Sequence, residues 1–252
     1  MTKNPFSLEG RHVVVTGAGR GIGRSIALGV ASAGATVTLV ARTESQLDET
    51  RIAVERAGGS AQIRCADLSD LTAVADLGRE LGSQSVHGIV HGAGITHRSD
   101  AQDFDDEMFS RVMTVNLEAP FVLSRELMRE RSVDLPSSHV FIGSLGSSIA
   151  IRRAVAYVAS KSGVLGVVRT LAAEWAPRGA RVNALSPGYF LTELTMDILN
   201  KPDERARIES RIPMGRLGLP EELGGAAVFL LSDAASYVTG QQLIVDGGWL
   251  GS

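Results

Sequence analysis

The 252-residue sequence has one cysteine, Cys65. Without a second thiol there is no internal disulfide and no cysteine-built zinc or iron–sulfur site. Aromatic residues make up only 5%, and no apolar run approaches the roughly 20 residues needed to cross a bilayer. Neither sign of charge dominates. The 25 basic and 28 acidic side chains leave a formal net charge of −3, which offers no electrostatic footprint for nucleic acid or an anionic membrane. The first ten residues, Met1 to Gly10, lack the apolar centre of a secretory leader. A cytoplasmic protein in a reducing compartment is therefore expected. No Pro-, Ser- or charge-rich linker, internal repeat or low-complexity tract divides the chain, so one domain over residues 1–252 is expected.

What the chain has in excess is glycine, 28 residues, and several follow short β-branched runs. Strands are expected at His12–Thr16, Thr36–Val40, Ala61–Cys65, Gly88–His91, His139–Gly143, Arg181–Leu185 and Gln242–Val245. Most lack polar alternation, as suits strands covered on both faces in a parallel sheet. Helices are expected near Gly21–Ala33, Glu44–Ala57, Leu71–Leu81, Phe104–Glu130, Ala156–Ala176 and Pro220–Leu231. Seven strands alternating with helices predict a doubly wound α/β domain, a seven-stranded parallel sheet with helices on both faces. One stretch breaks the alternation: 189–219 passes through Pro202, Pro213 and Gly215 as a long irregular segment. It starts where a strand ends, the edge at which open α/β sheets bind ligands, and reads as a substrate lid.

The first strand runs into Gly17-Ala18-Gly19-Arg20-Gly21-Ile22-Gly23 and then a helix. Glycines there permit a tight turn and let backbone N–H groups approach a pyrophosphate, while the helix N-terminus adds positive potential. An ordinary glycine-rich βα turn is the plainer alternative. At the end of the second strand, the acid that would bind a ribose 2′-hydroxyl is replaced by Ala41-Arg42. Arg42 and Arg20 together suit a 2′-phosphate, because guanidinium binds phosphate as a bidentate fork. NADP(H) is the preferred cofactor, with NAD(H) the alternative if Glu44 reaches the ribose instead.

Tyr157 and Lys161 are four residues apart, on one face of a helix. A phenol is a poor base at neutral pH until a nearby ammonium favours its ionised form. Ser144 follows the fifth strand, where its hydroxyl can hold a carbonyl oxygen for Tyr157 to protonate. Asn116 falls in the middle of a long predicted helix. It is either solvent-facing or buried, and if buried it is suited to hold a water that links Lys161 to solvent. Asp67-Leu68, after the third strand, is placed to accept from an adenine amino group, and Ala93-Gly94 follow the fourth strand beside the ribose. His87 and His91 lie on a strand with no third ligand in sight, so no metal site is expected.

Together these residues resemble the short-chain dehydrogenase/reductase family, over nearly the whole chain from Thr16-Gly17 to Val245-Asp246-Gly247-Gly248. The resemblance implies a Rossmann fold and a catalytic tetrad of Asn116, Ser144, Tyr157 and Lys161. It also implies cofactor contacts from Pro187, Gly188, Phe190 and Thr192, and a homotetramer. The sequence departs from the family at His91-Gly92, where Asn-Asn is usual and the second asparagine braces the central strand. Partial replacement of that brace by His91 is expected.

The segment 212–223 and the ending Val-Asp-Gly-Gly-Trp-Leu look like gluconate 5-dehydrogenases, 2-deoxygluconate 3-dehydrogenases and 3-oxoacyl-carrier-protein reductases alike. His97-Arg98 and Arg152-Arg153 are candidates to clamp a substrate carboxylate. Against that, Tyr189, Phe190, Leu191, Leu194, Met196, Ile198 and Leu199 would suit an acyl chain. The implied reaction is hydride exchange between a ketone and a secondary alcohol, on a small-molecule substrate such as a sugar acid. The alternatives are a 3-oxoacyl-carrier-protein reductase and, in another class, a non-catalytic NADPH-binding sensor or scaffold.

Overall fold

Val13, Val14 and Val15 point alternately to opposite faces of a strand, and all three are buried. Both faces of the sheet must therefore be covered. The computed structural model, which describes residues 4–132 and 135–252, shows how. Its sheet is parallel throughout: β1 (His12–Thr16), β2 (Thr36–Ala41), β3 (Ser60–Cys65), β4 (Gly88–His91), β5 (Ser137–Ile142), β6 (Ala180–Pro187) and β7 (Gln242–Val245). The order is β3-β2-β1-β4-β5-β6-β7, so the chain changes direction between β1 and β4. This is the Rossmann-type α/β fold, and that switch point is where such sheets open a crevice for ligands.

Val13 and Val15 pack on α1 (Gly21–Ser32) and α9 (Glu222–Leu231) through Ile26, Val30, Leu223 and Leu230. Val14 packs on the other face, against α3 (Leu71–Gly82) and α5 (Ala119–Glu130) through Leu77, Leu81, Leu123 and Leu127. α2 (Glu44–Arg56) flanks β2 and β3, and α6 (Val155–Trp175) covers β6 through Val164 and Val168. A Cβ on Gly29 of α1 would lie 2.8 Å from Gly224 Cα of α9. Glycine at both positions thus brings the two helices into backbone contact.

Two expectations are corrected. The single helix over Phe104–Glu130 is instead a short 3-10 turn at Ala101–Asp103, α4 (Asp106–Met113), a wide π turn at Thr114–Glu118, and then α5. The segment 189–219 is not irregular: it contains α7 (Glu193–Leu199), capped by Thr192, and α8 (Pro202–Glu209). Among the described residues no helix is long and apolar enough to cross a membrane.

Candidate active site

The carboxyl ends of β1 and β4 are paired side by side, Thr16 opposite His91, and the loops that leave them diverge. Between them opens a crevice of about 700 Å³, in the range of ligand clefts. Gly17 (φ +67°) and Gly21 (φ +54°) turn the chain there in the left-handed region that glycine tolerates. A Cβ on Gly17 would lie 2.7 Å from the Ala93 backbone, and one on Gly23 would lie 2.2 Å from the Gly17 carbonyl. Only glycine lets the turn and the β4 loop approach so closely, and the groove they form fits a dinucleotide.

Every residue expected to touch the cofactor lines this crevice: Gly17 to Gly23 at one wall, Arg42, Asp67 and Leu68 at one end, Ala93 and Gly94 beneath, and Pro187, Gly188, Phe190 and Thr192 on the far side. Asp67 Oδ1 accepts from the backbone N–H of Ser69 at 2.9 Å and from its hydroxyl at 2.8 Å. Those bonds, with Arg42 and Arg111 nearby, hold its carboxyl below the usual carboxylate range. Arg42 is exposed and makes no hydrogen bond or ion pair among the described residues. Glu44 does not line the crevice. Arg20 does not point with Arg42 as expected; its Nη1 pairs with Glu193 Oε2 on α7.

At the other end stand Ser144, Tyr157 and Lys161, all in the crevice wall. Ser144 Oγ accepts from the N–H of Gly146 at 3.0 Å, so its own proton remains available to donate. The Ser147 hydroxyl accepts from the N–H of Ser144 at 3.2 Å and donates to the Lys161 carbonyl at 2.8 Å, tying the serine loop to the helix that carries the other two. Lys161 Nζ lies 5.9 Å from the Tyr157 ring centre and donates to the Ile142 carbonyl at 2.7 Å. Burial brings the Lys161 amine down to about 8. Burial pushes the Tyr157 phenol up, while a hydrogen bond with Ser144 and the positive charge of Arg98 pull it back. The charge that favours the ionised phenol thus comes from Arg98 rather than from Lys161.

Asn116 is buried in the π turn and its amide is fully engaged by protein. It accepts from Ile95 N–H at 2.8 Å and donates to Ile95 O at 2.9 Å and to Ser160 Oγ at 3.1 Å. It clamps the β4 loop to α6. At the departure from the family pattern, His91 Nε2 is 2.7 Å from Ser124 Oγ on α5, and Ser124 Oγ is 3.0 Å from His139 Nδ1 on β5. The Ala93 N–H donates to Thr16 Oγ1 at 3.3 Å. These contacts link β4 to its neighbours.

The four candidate carboxylate clamps separate. Arg98 lines the crevice, whereas His97, Arg152 and Arg153 do not. His97 stacks edge-on against Phe104 at 5.5 Å, and Arg153, at φ +60°, turns its Nε to Asp100 at 3.4 Å. Arg111 and Gln46 line the cofactor end and were not anticipated. Gln46, two residues into a helix that follows Arg42, is a position where sequence alone signals exposure to a ligand at that strand end. Among the described residues no three His, Cys, Asp or Glu side chains cluster as metal ligands.

A glycine-lined dinucleotide groove with a phenol, a hydroxyl and an amine gathered at one end defines the class: a Rossmann-type oxidoreductase acting on hydroxyl groups. The chain belongs to the short-chain dehydrogenase/reductase family. A family model described as enoyl-(acyl carrier protein) reductase matches residues 17–250. A 2-dehydro-3-deoxy-D-gluconate 5-dehydrogenase of Bacillus subtilis is 39% identical over 249 residues, 97% of this chain and 96% of the relative. A galactitol 2-dehydrogenase (L-tagatose-forming) of Cereibacter sphaeroides is 41% identical over 247 residues, covering 97% and 96%. The crystal structure of a Beutenbergia cavernae protein, described as an NAD(P)-dependent gluconate 5-dehydrogenase with bound NADP, superposes with a TM-score of 0.96 at 46% identity, over 99% of this chain and 100% of that one.

Proposed function

We propose that the protein is an NADP(H)-dependent dehydrogenase that interconverts a secondary alcohol and a ketone on a sugar acid of the gluconate type. The observation that carries this reading is the position of Arg98, a cation in the crevice wall close enough for its charge to act on the Tyr157 phenol. A carboxylate held by Arg98 in a bidentate fork places a polyhydroxylated chain across Ser144 and Tyr157. The apolar residues of 189–219 do not argue for an acyl channel. Leu191, Met196 and Leu199 lie outside the crevice, and Leu199 and Leu191 join a separate cluster with Ile208, Ile212, Leu217 and Trp249.

When bound, the nicotinamide would supply or accept the hydride. Tyr157 holds the proton that the carbonyl oxygen takes on reduction and receives it back on oxidation. Ser144 donates to that same oxygen, and Lys161 and Asn116 fix the helix and loop on which the site is built. The residues 189–219 act as a lid within a single domain. Cytoplasmic residence belongs to this reading, as does a homotetramer, the latter supported by Ile244 on the edge strand and Phe109 on α4, both exposed.

The test is a substrate panel followed by NADPH absorbance: gluconate, 2-dehydro-3-deoxy-D-gluconate, galactitol and a 3-oxoacyl thioester. Turnover of a sugar acid is expected, with Arg98→Gln raising its KM at least about tenfold, as for loss of a charge-assisted pair. Tyr157→Phe is expected to abolish turnover while NADPH still binds. Turnover of galactitol or the thioester alone would overturn the sugar-acid assignment.

A further inference from the structure

We propose that Glu193 is a cofactor-selectivity residue that acts through Arg20; the inference rests on the NADP(H) reading above. Arg20 stands at a fork. On one side, a Cβ on Gly19 would lie 3.0 Å from Gln46 Cβ and 3.7 Å from Ala41 Cβ, beside the strand end that carries Arg42. On the other, a Cβ on Gly21 would lie 3.9 Å from Thr192 Cβ, at the start of α7. The Arg20 side chain takes the second direction and pairs with Glu193 across the mouth of the crevice. Both partners line that crevice and both are well exposed, at 60% and 64%.

One guanidinium cannot serve both ends of the groove. A 2′-phosphate and the Glu193 carboxylate therefore compete for Arg20. Exposed ion pairs are weak and screened by salt, and a phosphate dianion offers more charge to the same planar fork. NADPH takes Arg20 from Glu193, and part of its binding energy goes to breaking that pair. NADH has no group to recruit Arg20 and leaves the pair intact. Glu193 thus weakens NADPH selectively and holds down the preference that Arg42 creates.

The experiment is fluorescence titration of the full chain with NADPH and with NADH, at low and at moderate salt, for the wild type, Glu193→Gln, Arg20→Gln and the double variant. Glu193→Gln is expected to lower the NADPH Kd by about threefold, the scale of an exposed pair, and to leave the NADH Kd within about 1.5-fold. Arg20→Gln is expected to raise the NADPH Kd, and Glu193→Gln to add nothing in that background. Equal tightening of both cofactors would overturn the proposal, because Glu193 would then repel only their shared pyrophosphate. An unchanged NADPH Kd, or an effect that persists without Arg20, would overturn it too. A wild type that binds NADH as tightly as NADPH counts instead against the NADP(H) reading itself.

Discussion

Asn116 holds both polar backbone atoms of Ile95, accepting from its N–H at 2.8 Å and donating to its carbonyl at 2.9 Å. A single amide thereby fixes the loop that leaves β4, and through Ser160 it fixes that loop against the helix of Tyr157 and Lys161. Asn116→Leu keeps the volume and removes all three bonds. Leaving those groups unpaired is expected to cost about 1–3 kcal/mol in urea unfolding. It should reduce kcat more than NADPH affinity, because the glycine turn is untouched.

Arg42 is the guanidinium left free at the end of β2, next to Asp67. The wild type is expected to bind NADPH about tenfold or more tightly than NADH, and Arg42→Asp to reverse the order by opposing a 2′-phosphate and accepting from a 2′-hydroxyl. Paired titrations of the two cofactors decide it, and a variant that keeps the NADPH preference would remove Arg42 from the site.

Restoring the family's usual asparagine at position 92 should harm this chain. A Cβ on Gly92 would sit 2.7 Å from the Thr16 carbonyl and 3.3 Å from Gly23 Cα, both backbone. Gly92→Asn is expected to lose about 1–3 kcal/mol by overpacking, with the loss read from denaturant midpoints. A gain in stability would mean that β1 and the β4 loop separate more easily than their contacts indicate.

Buried histidines give the fold a one-sided pH dependence. Burial holds His139 down at about 3, against an ordinary 6.5, and displaces His91 in the same direction. Between those values the folded protein keeps the ring neutral while the unfolded chain takes up a proton. Stability therefore falls as pH drops from about 6.5 towards 3, by up to about 1.4 kcal/mol per unit for each histidine. His139→Gln is expected to flatten the slope of unfolding free energy against pH between 4 and 6. An unchanged slope would assign the acid sensitivity to carboxylates.

Where side chains act through the backbone pattern, the sequence was a good guide. Consecutive valines announced strands covered on both faces, glycines placed the phosphate turn, and a four-residue spacing put Tyr157 and Lys161 on one face. Rotamers and backbone detail were not legible. Arg20 had two directions open, and Arg152 and Arg153 sat near Tyr157 in sequence yet turned away. Nothing in Thr114–Glu118 marked a π turn, since its residues are as compatible with a regular helix. α8, by contrast, carried a readable start: Pro202 at its first position and Asp203 and Glu204 in its first turn. The prolines and glycine around it obscured that signal.

Deleting one residue from Thr114–Glu118 would let the chain close a regular helix from Asp106 to Glu130, with better local geometry than it has now. The two halves would then rotate by about 100° against each other. Either Leu123 and Leu127 would swing off the sheet, or residue 116 would lose its hold on Ile95. Evolution in this segment is thus free to change letters but not length, and a shortened, tidier helix would belong to a protein with no working centre.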